Sequence, residues 1–396
     1  MPRMTASRRI YLDNAATSWP KPPAVYDAVD HYQRHIGAPA GRGAYAEGQA
    51  VEREIGNCRR KIAELIGTAD SHRVVFGFNG TDVLNIALHG IIRPGDHVVT
   101  SVAEHNSVLR PLRWLQDRHE ISVTYVDCDP HGVLDAEAVL GAVTAKTNVV
   151  AVTHASNVTG ALQPVEAIGQ RLRDTSAFFL VDAAQSMGHV PIDVRSSHID
   201  LLAASGHKGL LGPLGTGVSY ASPNCEPHLE SFRQGGTGTQ SEVDVQPGEL
   251  PHKLEAGNFN VPALYGLSAG LSYLNERGLA AVRQHELQLT ALLRERLAAT
   301  ENIQLVGPVE AEKCTGVTSF VVKGMEPQEV ASLLDSAFQI EVRAGLHCAP
   351  RMHEALGTKE LGGAVRASFG PFNTEDDIAA LVAAVGQIAT LLAETE

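Results

Sequence analysis

The sequence predicts an α/β fold, with a mostly parallel sheet covered by helices and a smaller C-terminal α/β unit behind it. Three observations lead there. From about residue 72, short runs rich in valine and isoleucine alternate with segments of helical period. Residues 235–257 are rich in glycine, proline and polar side chains and have no clear period, which marks a loop or connector. Beyond them the alternation resumes on a smaller scale. Such alternation implies right-handed crossovers between parallel strands. Functional groups are then expected just past the carboxyl ends of those strands.

In order, residues 72–76 read as a strand and 81–92 as a helix with Leu84, Ala87 and Leu88 on one face. Strands follow at 96–102, 121–126, 148–153 and 177–181, and helices at 104–118, 135–145 and 165–173. After the connector, helices are expected at 263–274 and 280–299. A last group comprises strands at 316–322, 340–343 and 365–369 and helices at 327–334 and 375–392. Thr374 followed by Asp377 is a capping-box-like start for the final helix. There are no internal repeats and no low-complexity tract.

Composition narrows the function. The 396 residues are 44% hydrophobic and 19% charged, enough for a sizeable core and against bulk disorder. The net charge of −13 argues against a nucleic-acid surface and fits a soluble protein with small-molecule substrates. No stretch has the ~18 uninterrupted apolar residues of a membrane span. The basic start, residues 1–9, runs into strand-like Ile10-Tyr11-Leu12 instead of an apolar leader segment, so no signal peptide is read. Five scattered cysteines, at 58, 128, 225, 314 and 348, give a reducing-compartment pattern and a cytoplasmic expectation.

Asn79, His105, Asn157, Asp182 and Lys208 all fall after a predicted strand, and this shared placement carries more than any one of them. A carboxylate at the end of a buried strand, with a lysine downstream, fits pyridoxal phosphate (PLP): the lysine holds the aldehyde and the aspartate keeps the pyridine nitrogen protonated. The pair fits equally a strand-end aspartate and a solvated lysine. Gly80-Thr81-Asp82 opens a helix, whose amides suit a phosphate; Thr81 fits there as a plain N-cap as well. His105 fits a ring lying on a cofactor or a helix cap. Cys348 lies in a polar loop flanked by Gly345 and Pro350, where Arg343 and His347 favour a thiolate; free cysteines are otherwise commonly packing residues. His347, Cys348 and His353 lack a second paired ligand motif, so no metal is expected. Arg366 sits inside an apolar strand and needs an anionic partner, either a structural carboxylate or a substrate.

With these residues in view, the chain resembles the cysteine desulfurases, in the class V aminotransferase group of PLP enzymes of fold type I. The similarity runs from Tyr11-Leu12-Asp13-Asn14-Ala15-Ala16-Thr17 to Phe372-Asn373-Thr374. Its markers are Glu104-His105-Asn106, His154-Ala155-Ser156-Asn157-Val158-Thr159-Gly160, Val181-Asp182-Ala183-Ala184-Gln185, Ser205-Gly206-His207-Lys208 and Arg343-Ala344-Gly345-Leu346-His347-Cys348-Ala349-Pro350. The short cysteine loop is similar to that of SUF-type desulfurases and selenocysteine lyases. The resemblance implies a large PLP-binding domain over 14–258 and a small domain made of 1–13 and 259–396, which carries the Cys348 loop and Arg366. It implies that Lys208 carries the cofactor and Asp182 pairs with its ring nitrogen, with Gln185 and Asn157 near its phenolic oxygen and the substrate. His105 stacks on the ring, and Gly80, Thr81, Asp82, Ser205 and His207 lie about the phosphate. Arg366 grips the substrate carboxylate, with Arg343 and Asn14, Ala15 and Ala16 nearby, and Cys348 takes the sulfur.

The expected reaction is L-cysteine to L-alanine with a persulfide on Cys348, passed to a sulfur-acceptor protein such as one of iron–sulfur cluster assembly, in a homodimer. Three departures stand out. Asp82 replaces a threonine or glutamate. Asn258 replaces a threonine that in relatives reaches the neighbouring subunit's phosphate. Leu346 replaces a histidine. Selenocysteine lyase shares the site and takes L-selenocysteine. An aminotransferase or β-lyase needs no Cys348, and a sulfur-trafficking scaffold needs little turnover.

Overall fold

The computed structural model describes residues 9–41 and 43–393; residues 1–8, part of the stretch scanned for a leader, lie outside them. The strands are β1 (Ile10–Tyr11), β2 (Val74–Gly77), β3 (His97–Ser101), β4 (Ser122–Val126), β5 (Thr147–Thr153), β6 (Phe178–Asp182), β7 (Leu201–Ser205), β8 (Gly217–Ala221), β9 (Ile303–Val306), β10 (Val317–Val322), β11 (Ile340–Glu341), β12 (Arg343–Gly345) and β13 (Ala364–Ser368). Seven of them form one sheet in the order β2-β8-β7-β6-β5-β3-β4. β8 alone opposes its neighbours; the other pairings, from β7 across to β4, are parallel.

Successive residues of a strand point to opposite faces, and here each face has its own core. Val149 and Ala151 join one cluster, with Leu180, Leu201 and Ala203. Val150 and Val152 join the other, with Phe179, Val181, Leu202 and Ala204. Helices cover both faces, which is why these strands read as continuous apolar runs. The helix Gly80–Ile91 starts where Asn79 caps it, its side-chain oxygen accepting from the Asp82 amide.

A second, antiparallel sheet has the order β12-β13-β10-β9. Its core joins Phe320, Val365 and Phe369 to Leu289, Leu293, Val330, Leu334, Leu381 and Val385 from flanking helices. The expected capping box is present: the Thr374 amide donates to the Asp377 carboxylate at 3.0 Å, and the Asp377 amide donates to Thr374 Oγ1 at 3.4 Å. Residues 235–257 hold no helix or strand.

Three expectations need correction. The strand expected at 340–343 is two: β11 pairs in parallel with β1, and β12 joins the second sheet. The helix expected over 135–145 ends at Gly141. Lys208 does follow a strand, but that strand, β7, and its hairpin partner β8 have no counterpart in the predicted ranges, because their short runs are embedded in glycine-rich sequence.

Candidate active site

Because β2, β3, β5, β6 and β7 run the same way, their carboxyl ends meet along one edge of the sheet. The residues just beyond those ends enclose a cavity of about 130 Å³. Asn79, Gly80 and Thr81 follow β2, His105 and Ser107 follow β3, and Ala155 and Asn157 follow β5. Asp182 ends β6 and Ala184 and Gln185 follow it, and Ser205, His207 and Lys208 come from the end of β7. Five segments far apart in sequence thus become one site through sheet topology alone.

One end of the cavity suits an anion. The first amides of the helix Gly80–Ile91 have no acceptors within the helix. Thr81 Oγ1 lies 2.7 Å from Ser107 Oγ. His207 Nδ1 is buried and unpartnered. A Cβ on Gly80 would come within 2.4 Å of Ser205 Oγ, so only glycine leaves this cradle open.

The other end joins Asp182 to Lys208. Asp182 is buried, and its Oδ1 accepts from the Ala184 amide at 2.9 Å. Burial pushes its pKa up, while that hydrogen bond and Lys208 oppose the rise. Burial also pulls Lys208 down to about 8; Asp182 resists this, and Arg366 and Arg343 add to it. His105 falls to about 4 through burial and the Lys208 charge. Its Nδ1 accepts from the Ser107 amide at 3.0 Å, so the neutral ring carries its proton on Nε2. These groups fit PLP: phosphate donors at one end, a carboxylate for a ring nitrogen at the other, and an amine for the aldehyde.

The cysteine loop lies beside this cavity. The Asn106 amide donates to the Cys348 carbonyl at 2.7 Å, and Asn157 Nδ2 donates to the His347 carbonyl at 2.5 Å. His347 and Cys348 both have positive φ, 47° and 57°, a strained pair for non-glycine residues. The Cys348 side chain is exposed, and the other four cysteines are also free. His347 does not supply the positive charge that would favour a thiolate at Cys348. Burial holds it neutral, and its Nδ1 faces His353 Nε2 at 3.3 Å, with His353 Nδ1 2.8 Å from Thr358 Oγ1. Among the described residues no cluster of His, Cys, Asp or Glu is built to hold a metal ion.

Several expected residues stand outside the cavity. Asp82 turns away: its carboxylate accepts from the Phe78 amide at 2.8 Å and faces Arg233 at 3.5 Å. Asn14 is engaged by Ser368, Asn373 and Trp19. Ala15 accepts from Gln185 Nε2 at 2.9 Å, and the Ala16 amide closes a turn onto Asp13. Asn258 lines a separate groove of about 830 Å³ with Arg59, His72 and Thr237. Arg366 donates from Nη1 to the Asn157 carbonyl at 2.9 Å and from Nη2 to Asp13 at 2.7 Å.

Other groups escaped the sequence reading. Ser107 links Thr81 to His105. Glu104 is buried beneath the site; burial lifts it to about 8, against hydrogen bonds from Ser101 and the Thr153 amide. The His207 carbonyl receives the Ser18 amide, Thr17 Oγ1, Ser18 Oγ and Lys21 Nζ, all within 3.0–3.3 Å. Glu104 stands inside the Glu104-His105-Asn106 motif, but its burial is visible only in three dimensions.

A family model described as aminotransferase class-V matches residues 10–381. A probable cysteine desulfurase of Methanothermobacter thermautotrophicus is 37% identical, covering 96% of this chain and 94% of the relative. Another, of Pyrococcus abyssi, is 36% identical over 93% of this chain and 91% of its own. The apo structure of the cysteine desulfurase from Thermococcus onnurineus superposes with a TM-score of 0.90 at 34% identity, covering 96% of this chain and 95% of that one. The cysteine desulfurase CsdA from Escherichia coli gives 0.86 at 28% identity, covering 97% and 95%.

Proposed function

The chain belongs to the aminotransferase class-V family, and on that premise we propose that it is a PLP-dependent cysteine desulfurase, taking L-cysteine to L-alanine and leaving the sulfur on Cys348. The observation that carries this reading is the meeting of Lys208 and Asp182 in one strand-end cavity, beside a loop that exposes a cysteine.

PLP bound there supplies an electron sink. Gly80, Thr81, Ser205 and His207 would hold its phosphate, Asp182 would pair with its ring nitrogen and keep it protonated, and His105 would pack on the ring. A cation opposite Asp182 offsets the cost of burying that carboxylate. Arg366 binds the substrate carboxylate, with Arg343 and Asn157 at its sides. Lys208 has a pKa near 8, so its amine is neutral often enough near neutral pH to move the Cα proton. Cys348 Sγ bonds to the substrate sulfur while the substrate Cβ–S bond breaks, which gives alanine and a persulfide without an outside oxidant.

The chain divides into a large domain over 14–258 and a small one made of 1–13 and 259–396. In support, the strands of the large sheet lie within residues 74–221 and those of the second sheet within 303–368. The protein works as a homodimer; Asn258, apart from its own chain's cavity, faces the other subunit's phosphate. The sulfur goes to an acceptor protein, such as one of iron–sulfur cluster assembly, in the cytoplasm. Among the described residues no helix is long and apolar enough to cross a membrane.

Incubation with L-cysteine tests the reading. Alanine and Cys348 persulfide are expected in equal amounts in the first turnover. Pyruvate and free sulfide, with Cys348 unmodified, would replace it with a β-lyase.

A further inference from the structure

Ser107 is buried and stands between the two ends of the cavity. Its Oγ lies 2.7 Å from Thr81 Oγ1, at the anion end, and 2.8 Å from His105 Nδ1. Its amide donates to the same Nδ1 at 3.0 Å. A backbone amide can only donate, so Nδ1 carries no proton. The Ser107 hydroxyl therefore meets Nδ1 as a donor. That hydroxyl has one proton, so its contact with Thr81 is a hydrogen bond only if Thr81 donates. The protons run one way, from Thr81 to Ser107 to His105.

This order leaves Thr81 no proton for a ligand. An ionised phosphate oxygen only accepts hydrogen bonds, so it engages the Thr81 hydroxyl by taking that proton. Thr81 Oγ1 then becomes an acceptor, and the Ser107 proton turns from Nδ1 to Thr81. No covalent bond breaks; two hydroxyls rotate. His105 keeps the amide donor but faces a lone pair where a second donor stood, and a ring so placed binds a proton more tightly. Burial holds His105 down at about 4, and Lys208, Arg110, Arg366 and Arg343 add to this. Those four charges do not depend on Ser107, so a change at that residue isolates its hydroxyl.

We propose that Ser107 is a positioning residue that couples the two ends of the site: a phosphate group taken by Thr81 draws the Ser107 proton away from His105 and makes that ring a better base. The inference rests on the reading of this end as the phosphate site, which the first amides of the helix Gly80–Ile91 and the unpartnered, buried His207 Nδ1 support. Thr81 and Ser107 belong to different helices, and only the sheet brings their hydroxyls together. The basicity of His105 is thereby tied to a seated phosphate group.

The test is a pH titration of the His105 ring by nitrogen-15 NMR on the full chain freed of PLP, with His105→Gln identifying its resonances. It is run without phosphate and then with saturating inorganic phosphate. In phosphate-free buffer Ser107→Ala should bind the His105 proton about fivefold more tightly than the parent, the weight of one neutral hydrogen bond. Phosphate should tighten proton binding in both, through its charge, but about fivefold less in Ser107→Ala, where there is no hydroxyl to turn. Ser107→Thr keeps the hydroxyl and should restore the parent response. Phosphate-free values within about 1.5-fold of each other, with equal responses to phosphate, overturn the proposal. So does a parent spectrum at neutral pH with the proton on Nδ1, a result that needs no variant to fold. Yellow absorbance on adding PLP is scored separately: its absence ends the PLP reading, while the phosphate titration still decides on Ser107.

Discussion

The Lys208 cavity and the Cys348 loop stand side by side and are built in opposite ways. The cavity is a rigid edge: five parallel strands end at it, its histidines are neutral, and four donors fasten the His207 carbonyl just before Lys208. The loop exposes its cysteine and holds two residues in the left-handed region. Moving a proton needs fixed geometry. Carrying sulfur out needs exposure and a segment that can change shape. On the proposed reading the two tasks are separated by construction, not by distance.

The sharpest way to break this contrast is a pair of variants. Lys208→Ala should lose the yellow absorbance of the lysine-bound cofactor and reduce alanine formation by at least about a thousandfold. Cys348→Ser should keep the absorbance, and its response to L-cysteine, yet lose persulfide and nearly all alanine, since a hydroxyl is a far poorer nucleophile than a thiolate. Normal alanine rates in Cys348→Ser would show that sulfur leaves without the loop. Absorbance and turnover together check both.

A middle-sized effect is expected behind the loop. His353→Ala leaves His347 Nδ1 buried without its partner, which costs about 1–3 kcal/mol. Melting temperature should fall and persulfide formation slow, while the cofactor spectrum stays unchanged. A spectral change would mean that loop and cavity are one unit.

How much of this was legible in sequence follows from range. The strand-end positions of His105, Asn157 and Asp182 were readable because local period fixes strands and topology then gathers their ends. The Asp82 carboxylate was assigned to the phosphate turn, but a competing local acceptor role, for the Phe78 amide, claims it. The Asp13–Arg366 pair spans 353 positions, and no local pattern announces it. That His347 would not help Cys348 toward a thiolate is hidden in the sequence, because its burial depends on packing against residues beyond its own loop. Ser107 carried no signal beyond standing near His105.

The smallest effect concerns Glu104. Its folded-state pKa is about 8 against an ordinary 4.5, so the folded protein holds a proton there that the unfolded chain releases. Stability should therefore decline as pH rises from about 4.5 to 8. Glu104→Gln removes that proton uptake. It should melt higher than the parent at pH 8, by roughly a few degrees, with the gap closing toward pH 5. Melting curves at both pH values check it; an equal gap at both would mean that the carboxyl does not titrate in this range.

The pairing of β1 with β11, and of Asp13 with Ser368, also sets a timetable. The first described strand is completed only by residues made some 330 positions later, and contacts of such long range form slowly. On the ribosome, a nascent chain that already holds Lys208 and Asp182 still lacks the arginines and the partners of its own beginning. If those arginines receive the substrate as proposed, competence for it is among the last properties this polypeptide acquires, after the sheet that carries Lys208 has been synthesised in full.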